Sequence, residues 1–205
     1  MAGTLAGEPR VAYPLEDAQK ITPELVLNAY CSGVFPMAES ADSTAVFWVD
    51  PQLRGIIPLD GFHISRSLKK RIAQGGETYT IDRDFVGVMK ACADRSETWI
   101  NEDIISIYTE LHRRGFAHSI EVWADGRMIG GLYGVAINGA FFGESMFSRA
   151  TDGSKLALVA LVMRLKAGGF TLLDTQFLTD HLKSMGGVEI SRKAFHKKLE
   201  AALAA

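Results

Sequence analysis

Residues 119–148 read SIEVWADGRMIGGLYGVAINGAFFGESMFS, and this stretch decides the fold. Its first six residues alternate between apolar and polar side chains, which is the period of a half-buried strand. Asp125-Gly126 and Asn138-Gly139 are dipeptides that accept positive φ angles, so each favours a two-residue hairpin turn. The stretch therefore predicts a meander of three antiparallel strands, over residues 119–124, 128–137 and 140–148.

The residues after the meander extend this sheet. An apolar helix is predicted over residues 154–166, between Gly153-Ser154 and Gly168-Gly169, and a fourth strand over residues 171–177. A strand that returns after a helix can pair in parallel with the last strand of the meander. Two further helices are predicted over residues 179–185 and 191–202. Together these elements indicate an α+β fold with an antiparallel meander and a mixed sheet.

Helix signals dominate the residues before the meander. Thr22 is a suitable N-cap and Pro23 suits the first helical position, so a helix should run to about residue 32. A second helix should begin at Ser65 or Ser67, and two more are expected over residues 84–93 and 101–114. We expect residues 1–80 to form a mostly helical N-terminal domain and residues 81–205 a catalytic domain, both sharing one core.

The composition is that of a globular protein. Of 205 residues, 47% are hydrophobic and 22% charged, with a formal net charge of −2, which does not favour disorder. We expect no signal peptide and no membrane span, because no run approaches about 20 apolar residues. Cys31 and Cys92 lack metal-ligand spacing and are interpreted as reduced, buried thiols. We therefore predict a cytoplasmic protein without a metal site.

Three polar side chains lie in otherwise apolar predicted strands. Glu144 is in the third strand of the meander, and Asp174 and Gln176 share one face of the fourth because of their i, i+2 spacing. Such groups are costly to bury unless they are paired, hydrogen-bonded or functional. One of them alone would indicate a buried polar network, whereas three on neighbouring strands favour an active site.

A pair of glycines marks the second hairpin. If Asn138-Gly139 is a two-residue turn, Gly134 lies opposite Gly143. Glycine inside a strand is typical of a bulge, of close backbone approach by a ligand, or of simple packing accommodation. The sequence leaves these alternatives open.

Basic residues are clustered in two places, although the chain lacks the strong overall basicity typical of nucleic-acid binders. The second group lies within residues 192–198. These residues by themselves favour a solvated helix face over a phosphate-contacting patch in both cases. The first group consists of Arg66, Lys69, Lys70 and Arg71.

Eight short strings, in order along nearly the whole chain, resemble the leucyl/phenylalanyl-tRNA–protein transferase family. They are SGVFPM (residues 32–37), FWVDP (47–51), HISRSL (63–68), TWIN (98–101), GGLYGV (130–135), GESMFS (143–148), DTQ (174–176) and HLKSMG (181–186).

The resemblance implies a function. Members of the family move leucine, phenylalanine or methionine from aminoacyl-tRNA to proteins that begin with arginine or lysine. This marks those proteins for degradation by the N-degron route in the bacterial cytoplasm. The second domain, residues 81–205, would resemble the acyl-CoA N-acetyltransferase fold. No metal or small cofactor is implied, and we expect a monomer.

The implied reaction assigns roles to the candidate residues. Asp174 would orient and polarise Gln176, whose carbonyl oxygen would accept a hydrogen bond from the attacking amine. Asp174 or Glu144 would hold the cationic side chain of the acceptor. Trp48 and Trp99 would stack on the terminal adenine, and the first basic group would contact tRNA phosphates. The candidates for the amino-acid pocket are Leu132, Phe141, Met146, Leu158, Leu161 and Leu173.

Two other functions compete with this interpretation. An acyl-CoA N-acetyltransferase would need a glycine-rich pyrophosphate loop at a helix N-terminus, and residues 149–154 (RATDGS) offer one glycine and a carboxylate instead. A non-catalytic RNA-binding module would leave the buried polar residues Glu144, Asp174 and Gln176 without a role.

Overall fold

The computed structural model describes residues 13–14, 21–38, 46–96 and 98–205. Its strands are β1 (Tyr13–Pro14), β2 (Phe35–Ala38), β3 (Val46–Val49), β4 (Leu53–Ile56), β5 (Thr78–Ile81), β6 (Ala117–Ala124), β7 (Arg127–Ile137), β8 (Ala140–Ser148), β9 (Leu172–Gln176) and β10 (Val188–Ser191). Its α-helices are α1 (Pro23–Cys31), α2 (Arg66–Gln74), α3 (Phe85–Ala93), α4 (Glu102–Arg113), α5 (Gly153–Ala167), α6 (Asp180–Ser184) and α7 (Arg192–Leu203).

Local capping explains where the predicted helices begin. Thr22 accepts a hydrogen bond from the Leu25 backbone N–H at the start of α1, and Ser65 caps α2 in the same way. A side-chain oxygen placed there satisfies one of the four backbone N–H groups that a helix leaves unpaired at its N-terminus. The helix bounds confirm the predicted helices, with ends within about two residues of expectation.

Among the described residues, seven strands form the main sheet in the order β10-β4-β9-β8-β7-β6-β5, and three form a small antiparallel sheet in the order β1-β3-β2. All pairs in the main sheet are antiparallel except β8 and β9, which run parallel as expected. The α+β class, the meander and the mixed sheet are confirmed. A mostly helical N-terminal part is not confirmed, because strands β1 to β5 all begin before residue 80.

Apolar residues cover both faces of the main sheet. Leu132 and Tyr133 are neighbours on β7, yet Leu132 packs in the cluster with α5, and Tyr133 packs in the cluster with α1, α3, α4 and α7. The same alternation divides Leu172 from Leu173 on β9. This is the period of two that places successive strand residues on opposite faces. We call these faces the α5 face and the α1/α4 face.

The predicted glycine pair is confirmed and adjoins a bulge. Gly134 pairs with Gly143, but Tyr133 pairs with Ser145, so Glu144 is an extra residue on β8. A Cβ on Gly134 would lie 2.3 Å from the Phe142 carbonyl oxygen, so close packing requires glycine here. The bulge leaves Glu144 outside the regular pairing, which is how bulges redirect a side chain.

The two cysteines of the chain differ in their exposure to solvent. Cys92 is buried as expected, but Cys31 is exposed at the end of α1, so its predicted burial was wrong. None of the described helices is both long and apolar enough to cross a bilayer.

Candidate active site

The parallel pairing of β8 and β9 stops at the position of the three candidate residues. It joins residues 140–142 to residues 172–174, the last pair being Phe142 with Asp174. Beyond it, Glu144 forms the bulge of β8, and Gln176 has a φ of +58°. A positive φ is uncommon for a residue with a side chain and persists only where its surroundings impose it. The two strands therefore separate where Glu144 and Gln176 lie.

Glu144 is surrounded by hydroxyl groups on the α1/α4 face. Tyr30 of α1 donates a hydrogen bond to Oε1 (2.6 Å), and Tyr108 of α4 donates one to Oε2 (3.1 Å). The two tyrosine oxygens also lie 2.6 Å apart. Three oxygen–oxygen contacts are thus shared by only two hydroxyl protons when Glu144 is ionised. Protonation of Glu144 supplies the third proton without moving a heavy atom.

The surroundings of Glu144 change its acidity. Burial raises the pKa of its carboxyl group from 4.5 to about 7, and the nearby charge of Asp174 acts in the same direction, while the tyrosine hydrogen bonds oppose it. Burial also raises the pKa of Tyr30 and Tyr108 well above 10, so both remain proton donors. Glu144 therefore changes charge near neutral pH, where a group that serves in catalysis is most useful.

Asp174 is sealed in an ion pair with Arg54 of β4. The guanidinium donates from Nε to Oδ1 (2.8 Å) and from Nη2 to Oδ2 (2.7 Å), and the two side chains are 1% and 0% exposed. Arg54 also donates to the Gly33 carbonyl oxygen (2.9 Å) and lies 4.5 Å and 4.2 Å from the ring centroids of Phe35 and Phe195. A two-point fork of this kind is the strongest common form of ion pair.

Gln176 connects the two carboxylates. Its backbone N–H donates to Asp174 Oδ1 (3.0 Å), and its side-chain Nε2 donates to Glu144 Oε1 (3.3 Å). Since the amide nitrogen faces the carboxylate, Oε1 of Gln176 is left as an acceptor, and no described residue donates to it. Asp174 thus holds the backbone of Gln176, while Glu144 orients its side chain.

The six residues predicted to form the amino-acid pocket come together on the α5 face. Five are buried in the cluster between the sheet and α5, and the sixth, Met146, is partly exposed and packs against that cluster. Glu144 and Asp174 interact with groups on the opposite face. The last pair of β8 and β9, Phe142 with Asp174, directly follows the pair of pocket residues Phe141 and Leu173. The five buried residues are Leu132, Phe141, Leu158, Leu161 and Leu173.

The two predicted stacking residues differ in access. Trp48 lies on β3 with only 7% of its surface exposed, whereas Trp99 is partly exposed in the segment between α3 and α4. That segment is tied to the site, because Arg95 donates from Nη2 to Ser145 Oγ (3.2 Å), next to Glu144. Trp99 is therefore the better placed of the two to receive a base.

The predicted phosphate-binding group lies along α2. Arg66, Lys69 and Lys70 are exposed, but Arg71 is engaged with Glu77 (3.0 Å) and with the Thr151 carbonyl oxygen. The buried Leu68 packs α2 into the cluster on the α5 face. Three of the four cations are thus available to solvent, on the side of the sheet that carries the predicted pocket.

Three residues of the site were not identified from the sequence. Tyr30 and Tyr108 lie in amphipathic helices and look like core residues. Arg54 gave a usable signal, since a cation in the apolar string LRGII (residues 53–57) must find a partner if it is buried. Within the described ranges, no group of three or more His, Cys, Asp or Glu residues is placed to hold a metal ion.

Family models match two adjoining parts of the chain. The model of the leucyl/phenylalanyl-tRNA protein transferase N-terminal domain matches residues 19–52, and that of leucyl/phenylalanyl-tRNA protein transferase matches residues 56–200. The chain belongs to the leucyl/phenylalanyl-tRNA protein transferase family. It is accordingly an aminoacyltransferase, of a family that transfers aminoacyl groups from tRNA to protein.

Curated members of this family are similar over most of their length. A leucyl/phenylalanyl-tRNA–protein transferase of Ruegeria sp. is 60% identical over 183 residues, which are 89% of this chain and 87% of that protein. One from Dinoroseobacter shibae is 57% identical over 186 residues, which are 91% of this chain and 83% of the relative. The family resemblance of the eight strings is confirmed.

A solved structure shares the fold at low sequence identity. The crystal structure of FemX matches with a TM-score of 0.54 and 13% identity, covering 80% of this chain and 65% of that one. At this identity the likeness concerns the fold alone.

Proposed function

We propose that this enzyme moves leucine, phenylalanine or methionine from aminoacyl-tRNA to the N-terminal arginine or lysine of acceptor proteins. The product would be marked for degradation by the N-degron route in the bacterial cytoplasm. The enzyme would act as a monomer, without metal or small cofactor. The observation that carries the proposal is the juxtaposition of Glu144, Gln176 and Asp174 where β8 and β9 separate.

The chemistry needs positioning more than activation. The aminoacyl ester is already reactive, so the enzyme must bring a neutral α-amine against its carbonyl carbon. The amine loses one proton as the amide forms, and the departing ribose oxygen gains one, so the reaction consumes none overall. In favourable cases positioning contributes about 7–11 kcal/mol. Gln176 would position the amine through its Oε1, which is the acceptor that no described residue occupies.

Glu144 would recognise the acceptor side chain. Asp174 is fully buried and paired with Arg54, so it offers no free oxygen to a second cation. Glu144 keeps some exposure and lies next to Gln176. An ionised Glu144 would therefore bind the ammonium or guanidinium group of the acceptor, because a charge-assisted hydrogen bond is about twice as strong as a neutral one.

The apolar side chain of the donor would enter the α5 face in the region of Leu132, Met146 and Leu161, and the tRNA phosphates would meet the cations of α2. The terminal adenine would stack on Trp99, which packs against the cluster of the α1/α4 face. An apolar pocket separates ligands that differ by one methylene by only about 1–3 kcal/mol. Leucine, phenylalanine and methionine would therefore all be accepted.

We also propose that residues 1–80 and residues 81–205 form two domains. Tyr30 and Arg54 come from the first part, and Glu144, Asp174 and Gln176 from the second. The active site would thus lie where the proposed N-terminal domain meets the proposed N-acetyltransferase-like domain, and both would be needed for activity.

A role as an acyl-CoA N-acetyltransferase is disfavoured by the start of α5. Its N-cap residue is Asp152, with a φ of +61°, and the carboxylate pairs with Lys155 (3.0 Å). The backbone N–H of Ser154 is already bonded to Ser148 Oγ (2.7 Å). A pyrophosphate at this helix end would meet a carboxylate and find one of its N–H donors occupied.

A transfer assay tests the proposal. The enzyme is incubated with radiolabelled Leu-tRNA and with peptides that begin with lysine, arginine or alanine, and label on the peptide is measured. We expect label on the first two and little on the third. Equal transfer to all three peptides would contradict the acceptor specificity. Turnover of acetyl-CoA without transfer from tRNA would contradict the whole proposal.

A further inference from the structure

Arg54 is the largest fully buried side chain among the described residues. A buried charge is costly unless it is paired and hydrogen-bonded, and each nitrogen of the Arg54 guanidinium donates a hydrogen bond. Its guanidinium contacts one carboxylate, one backbone carbonyl oxygen and two aromatic rings. Burying an ion pair is often no more stabilising than filling the same space with apolar groups. Stability alone therefore does not explain why an arginine stands here.

The hydrogen bonds of Asp174 lead from Arg54 to Gln176. Oδ1 of Asp174 accepts from Arg54 Nε (2.8 Å) and from the Gln176 backbone N–H (3.0 Å), while Oδ2 accepts from Arg54 Nη2 (2.7 Å). The guanidinium thus fixes the plane of the carboxylate. The position of Asp174 Oδ1 in turn determines where the Gln176 N–H must lie to donate its hydrogen bond.

The strand that carries Arg54 holds Gln176 from a second side. Gly55 pairs with Gln176, but Ile56 pairs with Asp174, so Thr175 is an extra residue and β9 bulges here. A Cβ on Gly55 would lie 2.6 Å from the carbonyl carbon of Phe177, which shows how closely the two backbones approach. Gln176 keeps its φ of +58° between these two contacts, in a conformation that costs free energy and needs external support.

We infer that Arg54 is a positioning residue for the transfer reaction: through Asp174 it holds the backbone of Gln176 in its left-handed conformation and so places the Gln176 amide beside Glu144. Arg54 contacts neither donor nor acceptor. Asp174 serves as the link between the guanidinium and Gln176 rather than as a base or a receptor for the acceptor cation. This inference rests on the proposed function, in which Gln176 receives the attacking amine.

The geometry requires the two parallel hydrogen bonds from the Arg54 guanidinium to Asp174, and not only a positive charge. Lysine in place of Arg54 would keep a cation near Asp174 but could not donate to both oxygens in one plane. The carboxylate could then rotate, and the Gln176 N–H would lose its fixed partner. Gln176 would be misplaced, while the donor-binding residues on the α5 face would be untouched.

The test is a mutant cycle of Arg54→Lys and Gln176→Ala, read by single-turnover transfer from radiolabelled Leu-tRNA to a lysine-starting peptide. We expect Arg54→Lys to slow transfer at least tenfold per folded molecule, with the Kd for charged tRNA and the KM for peptide changed less than threefold. The transfer rate of the double variant should be within threefold of the rate of Gln176→Ala, because Arg54 acts only through Gln176. A merely structural role would make the two losses multiply, which would overturn the inference.

The matched control is Arg192→Lys, at another arginine–aspartate pair. Arg192 of α7 pairs with Asp50 (3.1 Å) and has no contact with Asp174 or Gln176. It should lose stability without losing transfer per folded molecule, and an equal loss of transfer in the control would overturn the inference. If Arg54→Lys does not fold, Asp174→Asn replaces it in the cycle, with the same expectation and the same contrary outcome.

The wild-type protein separates the inference from the function on which it rests. If wild type transfers leucine and Arg54→Lys transfers equally well, the inference is wrong and the proposed function stands. If wild type does not transfer at all, the proposed function fails.

Discussion

Ionisation of Glu144 should lower the stability of the protein and raise its transfer activity. Glu144→Gln keeps the size of the side chain and can still accept from one tyrosine and donate to the other. It removes the ionisable carboxyl group, whose pKa is raised by burial from 4.5 to about 7. The folded protein therefore binds this proton more tightly than the unfolded chain does. The contribution of Glu144 to stability falls as the pH rises from about 4.5 to about 7 and is constant above that.

The magnitude follows from the size of the shift. One pKa unit corresponds to about 1.4 kcal/mol, so the raised pKa of Glu144 costs about 3 kcal/mol of stability at pH 8 and about 1 kcal/mol at pH 5. The free energy of unfolding of Glu144→Gln, relative to wild type, should therefore rise by about 2–3 kcal/mol between these pH values. In a chain of this size that is a gain of about 5–10 °C in Tm.

Urea denaturation at pH 5 and pH 8 measures this difference, with Glu189→Gln as a control because Glu189 is exposed on β10. Activity should move the opposite way. Transfer to lysine- and arginine-starting peptides should fall about 10- to 100-fold at pH 8, since a hydrogen bond to a charged group contributes about 1.5–3 kcal/mol. A stability difference that does not change with pH would refute the assigned ionisation. Unchanged transfer would refute the role of Glu144 in acceptor recognition.

Two other predictions concern the donor and the reacting amide. Replacing the exposed cations of α2 by alanine should weaken binding of charged tRNA and lower its salt slope by about one per lost phosphate contact; the variant is Arg66→Ala/Lys69→Ala/Lys70→Ala. Binding isotherms at several salt concentrations measure this, and the same slope as in an α7 control (Lys193→Ala/Lys197→Ala/Lys198→Ala) would assign α2 to a solvated face. Asp174→Asn and Gln176→Ala should each lower turnover strongly and leave charged-tRNA affinity within a few fold, and together they should cost little more than the worse single change. Additive losses in single-turnover rates would mean that the two residues act separately.

Short-range chemistry explains which elements the sequence predicts well. Asp125 and Asn138 adopt positive φ in the two turns of the meander, as their dipeptides with glycine indicate. The glycine register across the second hairpin follows from the turn length alone. The polar residues Glu144, Asp174 and Gln176 stand out because they interrupt apolar strands. Each of these features depends on neighbours within a few residues.

The missed strands have a common cause. β5 and β10 are the two edges of the main sheet, and both are four residues long and largely exposed. A strand that pairs on one side and faces solvent needs no apolar alternation, so its sequence carries little signal. Nothing local indicates that β4 enters the sheet between β9 and β10.

By itself, the sequence determined the meander, the helix caps and the presence of three polar residues in apolar strands, and it allowed a parallel pairing of β9 with β8. Only the tertiary structure decided what surrounds them. Arg54 reaches Asp174 from 120 positions away along the chain, and Tyr30 reaches Glu144 from 114. Hairpins, caps and periodicity are set by torsion preferences and hydrogen bonds over a few residues. The partners of buried charged groups depend on the topology, which brings distant strands and helices together. No local sequence pattern indicates these partners.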